Sequence, residues 1–502
     1  MGRVRRTVLI PVLVLLSALT ACGGGHRGSS AVPSSGSAGG SSLAWGSCAD
    51  AYKGHYQCAT LTVPLDHSGA VPGTISIALI KTPATDPKHR IGSLLVNPGG
   101  PGASALDDWD FLSGQVDAAL HKRFDVIGFD PRGVGRSTAV DCLSDAQVDA
   151  FTSVDLDPST AAETTALETV SKQLADTCAA KQGPLLRFVG TKDAAMDMDD
   201  IRAALGDQKL SYLGFSYGTL LGATYAQEFP THVRALVLDG ALDPSLDAVA
   251  SVDEQSKGFE AQLDAFLASC ASSSACPWHI TGNGQADLQR LLTSIERSPL
   301  PTGNTSRTLT VGNAFYGIGV ALYSRQSWPV LEQALGQAAS GDGSGLLALA
   351  DDYTERSPDG SYSNTIEANL AINCRDYAWP KTPAAFFAAA KASADDAPLF
   401  GPSNLDETLP CAFWPTDASG TGAPGPLTAA GAPPILVVAT TGDPATPYSD
   451  GVSLAKQLDS GVLLTNVGQQ HTAYGYSACV RKYADAYLIN LTNPGPQRCD
   501  DE

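Results

Sequence analysis

The sequence predicts a mostly parallel α/β sheet interrupted by a mainly helical cap insertion. Three observations predict it. Short apolar runs alternate with helical stretches over residues 44–243, the pattern of strands buried on both faces. Residues 244–431 carry helical periodicity and few strand candidates. Residues 432–502 return to alternating strand and helix.

The chain opens with a segment outside that body. Arg3, Arg5 and Arg6 precede an apolar run over 8–19 that is short for a bilayer span. Residues 1–21 are therefore expected to be an export signal. The run ends in Leu19-Thr20-Ala21-Cys22, which resembles a bacterial lipobox, with Cys22 the lipidated first residue of the mature chain. Residues 22–43, rich in Gly and Ser, read as a flexible tether. Membrane contact is expected only through Cys22.

The first core part, 44–243, holds strand candidates at 75–80, 93–96, 124–129, 210–213 and 235–238, with helices at 194–205 and 219–229. The insertion reads as amphipathic helices at 251–267, 285–296, 314–335 and 383–394. The second core part, 432–502, reads as strand 435–439, helix 449–458, strand 461–464 and helix 478–491.

Composition narrows the function. With 43% hydrophobic and 17% charged residues, 502 residues make a globular chain long enough for two domains. Fifty-two acids against 32 Lys and Arg give a net charge of −20, which disfavours nucleic acid as a partner. There are eleven cysteines and no C-x-x-C, pointing to disulfides outside the cytoplasm. Setting Cys22 aside, ten remain in neighbouring couples. The expected bridges are Cys48–Cys58, Cys142–Cys178, Cys270–Cys276, Cys374–Cys411 and Cys479–Cys499, which leaves no thiol as a nucleophile.

Gly214-Phe215-Ser216-Tyr217-Gly218 is a G-x-S-x-G between a strand-like run and a helix-like run. In that setting the glycines allow a sharp turn that presents the Ser216 hydroxyl. A hydroxyl needs a base, and among eight histidines only His471 follows a late strand by a short loop. Asp443, just past the strand at 435–439, is the expected orienting acid, with Asp239 as the rival. Asn97-Pro98-Gly99-Gly100-Pro101-Gly102 follows a strand and precedes a helix. Gly100 and Tyr217 are its expected backbone donors to an oxyanion. The glycine loop lacks G-x-G-x-x-G and the Walker lysine, and no H-E-x-x-H is present, so neither cofactor nor metal is expected.

These residues carry a resemblance. The glycine loop, Phe124-Asp125-Val126-Ile127-Gly128-Phe129-Asp130-Pro131-Arg132-Gly133-Val134-Gly135-Arg136-Ser137, Gly214–Thr219, and Asp443…His471 with Cys479…Cys499 resemble the tripeptidyl aminopeptidases of actinobacteria. Those are exported α/β-hydrolases of the proline iminopeptidase superfamily with a TAP-like C-terminal region. The order Ser216, Asp443, His471 is the α/β-hydrolase order. Pro98 stands where the wider superfamily commonly has His. The resemblance implies a serine exopeptidase acting on free peptide N-termini. An esterase or lipase on the same triad, and an idle peptide-binding envelope lipoprotein, are the alternatives. Recognition of a free amine requires a buried acid, and Asp376 or Glu367 in the insertion is expected to supply it.

Overall fold

The computed structural model describes residues 43–48, 56–303, 307–420 and 424–500. The expected signal over 1–21, Cys22 and residues 22–42 of the tether lie outside the described residues. In chain order the strands are β1 (Gly46–Ser47), β2 (Gln57–Pro64), β3 (Thr74–Thr82), β4 (Gly92–Asn97), β5 (Phe124–Phe129), β6 (Leu210–Phe215), β7 (Val233–Asp239), β8 (Leu300–Pro301), β9 (Thr308–Leu309), β10 (Ile435–Thr440), β11 (Gly461–Asn466) and β12 (Gln497–Cys499). Strands β8 and β9 pair with each other alone. The other ten form one sheet in the order β1-β2-β3-β5-β4-β6-β7-β10-β11-β12.

Strands β1 to β3 are antiparallel to their neighbours, and every pairing from β5 to β12 is parallel. The sequence pattern explains the difference. All six residues of β4, β6 and β10 are buried, as strands covered on both faces must be. Strand β2 buries Ala59, Leu61 and Val63 and exposes the residues between them. That alternation marks an antiparallel strand with one wet face.

The helices at 251–267 and 285–296 appear as Ala248–Ser272 and Gly284–Arg297. The stretch 314–335 is not one helix but two, Val311–Leu322 and Trp328–Ala339. Ser324 is extended and its hydroxyl accepts from the Gln326 amide, opening a short 3-10 turn. Pro329 lacks an N–H and fits only at the start of a new helix. The insertion rests on a ring cluster: Phe259 lies 5.2 Å from both Tyr323 and Phe400, and Phe315 lies 5.4 Å from Phe400.

Helices Asp145–Ser153 and Ala161–Gln182 precede β6 in the chain yet touch the insertion. The Tyr362 hydroxyl donates to Asp149 at 2.7 Å, and the Asn313 amide donates to the Thr152 carbonyl at 3.1 Å. All five expected cysteine pairs are bonded. Among the described residues no helix is long and apolar enough to cross a membrane.

Candidate active site

Strand β6 delivers Ser216 to a sharp turn. Ser216 has φ 55°, a conformation non-glycine residues seldom adopt, and the helix Tyr217–Glu228 begins at the next residue. The turn is held from below: the Ser216 amide donates to the Asp239 carbonyl at 2.9 Å. Above it lies the glycine loop. A Cβ on Gly99 would sit 2.5 Å from the Phe215 carbonyl oxygen, so only glycine allows the two turns to approach. Ser216 is partly exposed while Phe215 and Tyr217 on either side are buried.

Three backbone amides lie at or beside this turn. The Gly99 amide is spent on the Asn97 side chain at 3.1 Å. The Gly100 amide has no partner among the described residues, nor has that of Tyr217, one of the orphan N–H groups at a helix start. Gly100 and Tyr217 both line the same cavity as His471. The loop is braced by the Asp130 segment. Asp130 accepts from the Ser104 hydroxyl at 2.9 Å and the Leu106 amide at 3.1 Å. Arg132, fully buried, is paired with Asp197 at 2.6 Å.

His471 follows β11 and stands over the end of β7, where a Cβ on Gly240 would meet its Cε1 at 3.2 Å. Its Nδ1 lies 2.8 and 3.0 Å from the two carboxylate oxygens of Asp443. Asp443 is fixed in turn by the amides of Ala445, Thr446 and Thr472, each within 3.0 Å. Burial works to lower the imidazole pKa, but the Asp443 charge and hydrogen bond, with help from Asp239, raise it above the ordinary 6.5. A histidine so held presents Nε2 as a proton acceptor. The rival Asp239 is turned elsewhere: its carboxylate accepts from the amides of Ala473 at 3.0 Å and Tyr474 at 2.7 Å. Burial lifts it to about 6.

The cavity has a volume of about 690 Å³, inside the usual range for a site that takes a small ligand. Its wall carries Asp108, Asp352, Glu355 and Glu407, and no Lys or Arg among the described residues. Glu407 lies beside Tyr316, and burial lifts its carboxyl to about 7. The Tyr316 hydroxyl beside it is buried. Tyr323 also lines the cavity, with its ring 5.4 Å from His471 and its phenol in the field of Glu407.

The two acids expected to hold a substrate amine are placed otherwise. Asp376 does not line the cavity. Its carboxylate accepts from the amide of Thr191 at 2.8 Å and from the Thr191 hydroxyl, at the start of helix Thr191–Ala204. Glu367 accepts from the amides of Cys142 at 3.0 Å and Leu143 at 2.7 Å. Each carboxylate accepts from backbone N–H groups of a distant segment, so each ties two segments together. Sequence reasoning missed Glu407, because nothing in Leu405-Asp406-Glu407 distinguishes it from a surface acid.

Comparison with known proteins agrees with this geometry. The family described as alpha/beta hydrolase fold matches residues 92–469. The chain belongs to the alpha/beta hydrolase fold family. It is 39% identical to the serine protease Hip1 of Mycobacterium tuberculosis, covering 87% of this chain and 86% of that one. It is 38% identical to a carboxylesterase B of the same organism, covering 87% and 85%. It is 31% identical to a tripeptidyl aminopeptidase of Streptomyces lividans, covering 86% and 81%. Ser216, Asp443 and His471 thus occupy strand ends of an alpha/beta hydrolase sheet, where this family's fold gathers its chemistry.

Proposed function

We propose that the protein is an extracytoplasmic serine peptidase that releases short peptides, tripeptides by resemblance, from free N-termini through an acyl-enzyme. The observation that carries this reading is the cavity itself. His471, Tyr217 and Gly100 line it together with four carboxylates, and no Lys or Arg among the described residues does. Such a field favours the ammonium of a peptide N-terminus.

Ser216 attacks the scissile carbonyl while His471 Nε2 takes its proton. Asp443 keeps the imidazole oriented and stabilises it once charged. The amides of Gly100 and Tyr217 receive the oxyanion. His471 then protonates the leaving amine, and water, activated the same way, releases the acyl group. Glu407, with the Tyr316 hydroxyl beside it, is the acid that anchors the free amine. It replaces the expected Asp376 and Glu367, neither of which lines the cavity.

The five bridges favour a place outside the cytoplasm. Anchoring through Cys22 belongs to the same proposal, and a Cys22→Ala variant that stays with the membrane fraction would refute it. The esterase reading has one specific support, the carboxylesterase relative at 38% identity. A panel of free-amine tripeptidyl amides, their N-acylated forms and short-chain esters separates the two. Preference for the free-amine peptides supports the peptidase, and turnover of esters alone overturns it.

A further inference from the structure

The loop that offers the Gly100 amide is built from permissive backbone. Gly99, Gly100 and Gly102 have φ 102°, 103° and 103°. Glycine takes such angles without strain, but it loses the most freedom when held at one of them. An oxyanion donor works only if it is in place before the charge develops. Other groups must therefore hold this loop.

On one side of Gly100 the core supplies the hold, where Asn97 Oδ1 accepts from the Gly99 amide at 3.1 Å. On the other side the hold comes from the insertion. Asn369 Nδ2 donates to the Pro101 carbonyl at 3.0 Å. Asn369 lies in the middle of helix Thr365–Asp376, and Asn373 shares its face one turn on. Asn373 Nδ2 donates to Asn369 Oδ1 at 3.0 Å. That bond takes the Asn369 oxygen and leaves its NH₂ to meet the Pro101 carbonyl. Gly100, Pro101, Asn369 and Asn373 all line the catalytic cavity.

The helix is a firm support. Before its first turn, Asn364 donates to the carbonyls of Gly133 and Val140 at 2.8 and 2.9 Å and accepts from the Gly135 amide at 2.9 Å. In its last turn, Cys374 is bonded to Cys411, and Asp376 accepts from the Thr191 amide at 2.8 Å. Between these ends the loop lies against it. A Cβ on Gly102 would sit 2.7 Å from the Thr365 carbonyl oxygen and 2.9 Å from the Asn369 backbone nitrogen. None of these ties uses the Asn369 side chain, whose NH₂ goes to the loop.

We propose that Asn369 is a positioning residue for the oxyanion. By holding the Pro101 carbonyl it fixes the glycine loop with the Gly100 amide directed at the carbonyl oxygen under attack, and Asn373 keeps it in the donating orientation. The inference rests on the reading of Ser216 and Gly100 as an acyl-transfer site, and not on the choice between peptidase and esterase. A loosened loop weakens the transition state, where charge builds on that oxygen, more than it weakens substrate binding. The loss therefore falls on kcat and spares KM.

The test uses the mature protein with a free-amine tripeptidyl amide and a short-chain ester. Asn369→Ala removes both side-chain bonds and puts a strong helix former in a helix interior. Asn369→Asp keeps the shape and an acceptor for Asn373, but has no N–H for Pro101. Each should lower kcat about 10–100-fold on every substrate the parent turns over, with KM within about threefold and Tm within a few degrees. Fluorophosphonate labelling of Ser216 should slow by a similar factor, since the phosphoryl oxygen uses the same donors. Asn373→Ala should act in the same direction but less, and should add little to Asn369→Ala, because the two asparagines act in series. Parent-like kcat and labelling in folded Asn369→Ala, or in Asn369→Asp, overturns this role while the acyl-transfer reading stands. A rise in KM with kcat unchanged also overturns it, making Asn369 a substrate contact. A parent that neither labels nor hydrolyses overturns the acyl-transfer reading and this role with it.

Discussion

The amide of His471 donates to the backbone carbonyl of Tyr323 at 2.7 Å, and the Tyr323 ring stands edge-on to the imidazole at 5.4 Å. The insertion is therefore bonded to the loop that carries His471, the proposed base. Ser324, next in the chain, forms an isolated antiparallel bridge with Gln470. This contact exists because the helical stretch breaks after Leu322 and frees the Tyr323 carbonyl. The position of His471 thus depends on the insertion as well as on Asp443.

Ser216→Ala should abolish hydrolysis, by about 10³-fold or more in kcat, with Tm within a few degrees of the parent. A fluorophosphonate probe should label the parent at Ser216 and leave the variant unlabelled. Parent-like turnover by the folded variant would remove Ser216 from the chemistry.

Asp443→Asn and Asp239→Asn should separate orientation from scaffolding. Asp443 holds the imidazole at 2.8 Å, so its amide variant should lose about 10²–10⁴ in kcat. Asp239 accepts from the amides of Ala473 and Tyr474, so its variant should lose about 1–3 kcal/mol of stability and keep most of kcat. Thermal unfolding beside steady-state kinetics reads both, and the opposite ranking would transfer the acid to Asp239.

Glu407→Gln should raise KM for free-amine peptides about 10–100-fold and leave short-chain ester turnover nearly unchanged. The pH dependence follows from the sign of the shift. With its carboxyl lifted to about 7, Glu407 is charged above that pH and neutral below it. In the parent, KM should rise as pH falls through about 7, and the variant should lose that limb. The fall of kcat from protonating His471 should persist in both, since that imidazole is raised above 6.5 by Asp443. An unchanged KM profile in the variant would free Glu407 of any contact with the amine.

Asp376→Asn should act on stability alone. Its carboxylate ties the start of helix Thr191–Ala204, so the loss should be about 1 kcal/mol, with peptide and ester turnover falling together or not at all. A KM increase confined to free-amine peptides would return the amine anchor to Asp376.

The sequence by itself determined the sheet, the elbow and the cysteine couples. Buried parallel strands must be apolar at every position, as in Ile435–Thr440, and that is visible in one dimension. Ser216, Asp443 and His471 each sit beside a strand of that kind, so their places at strand ends followed from local pattern. Couples such as Cys270 and Cys276 lie close along the chain and bond there. The tertiary structure alone decided the roles of the insertion's acids. Nothing in the local sequence of Glu367, Asp376 or Glu407 marks its partner, yet two meet backbone amides and one faces the cavity. A carboxylate's role depends on which groups reach it across long loops, and charge carries no periodicity that records that partner. The break after Leu322 belongs to the same class, because the His471 amide that claims the freed Tyr323 carbonyl lies far along the chain and meets it only in the folded protein.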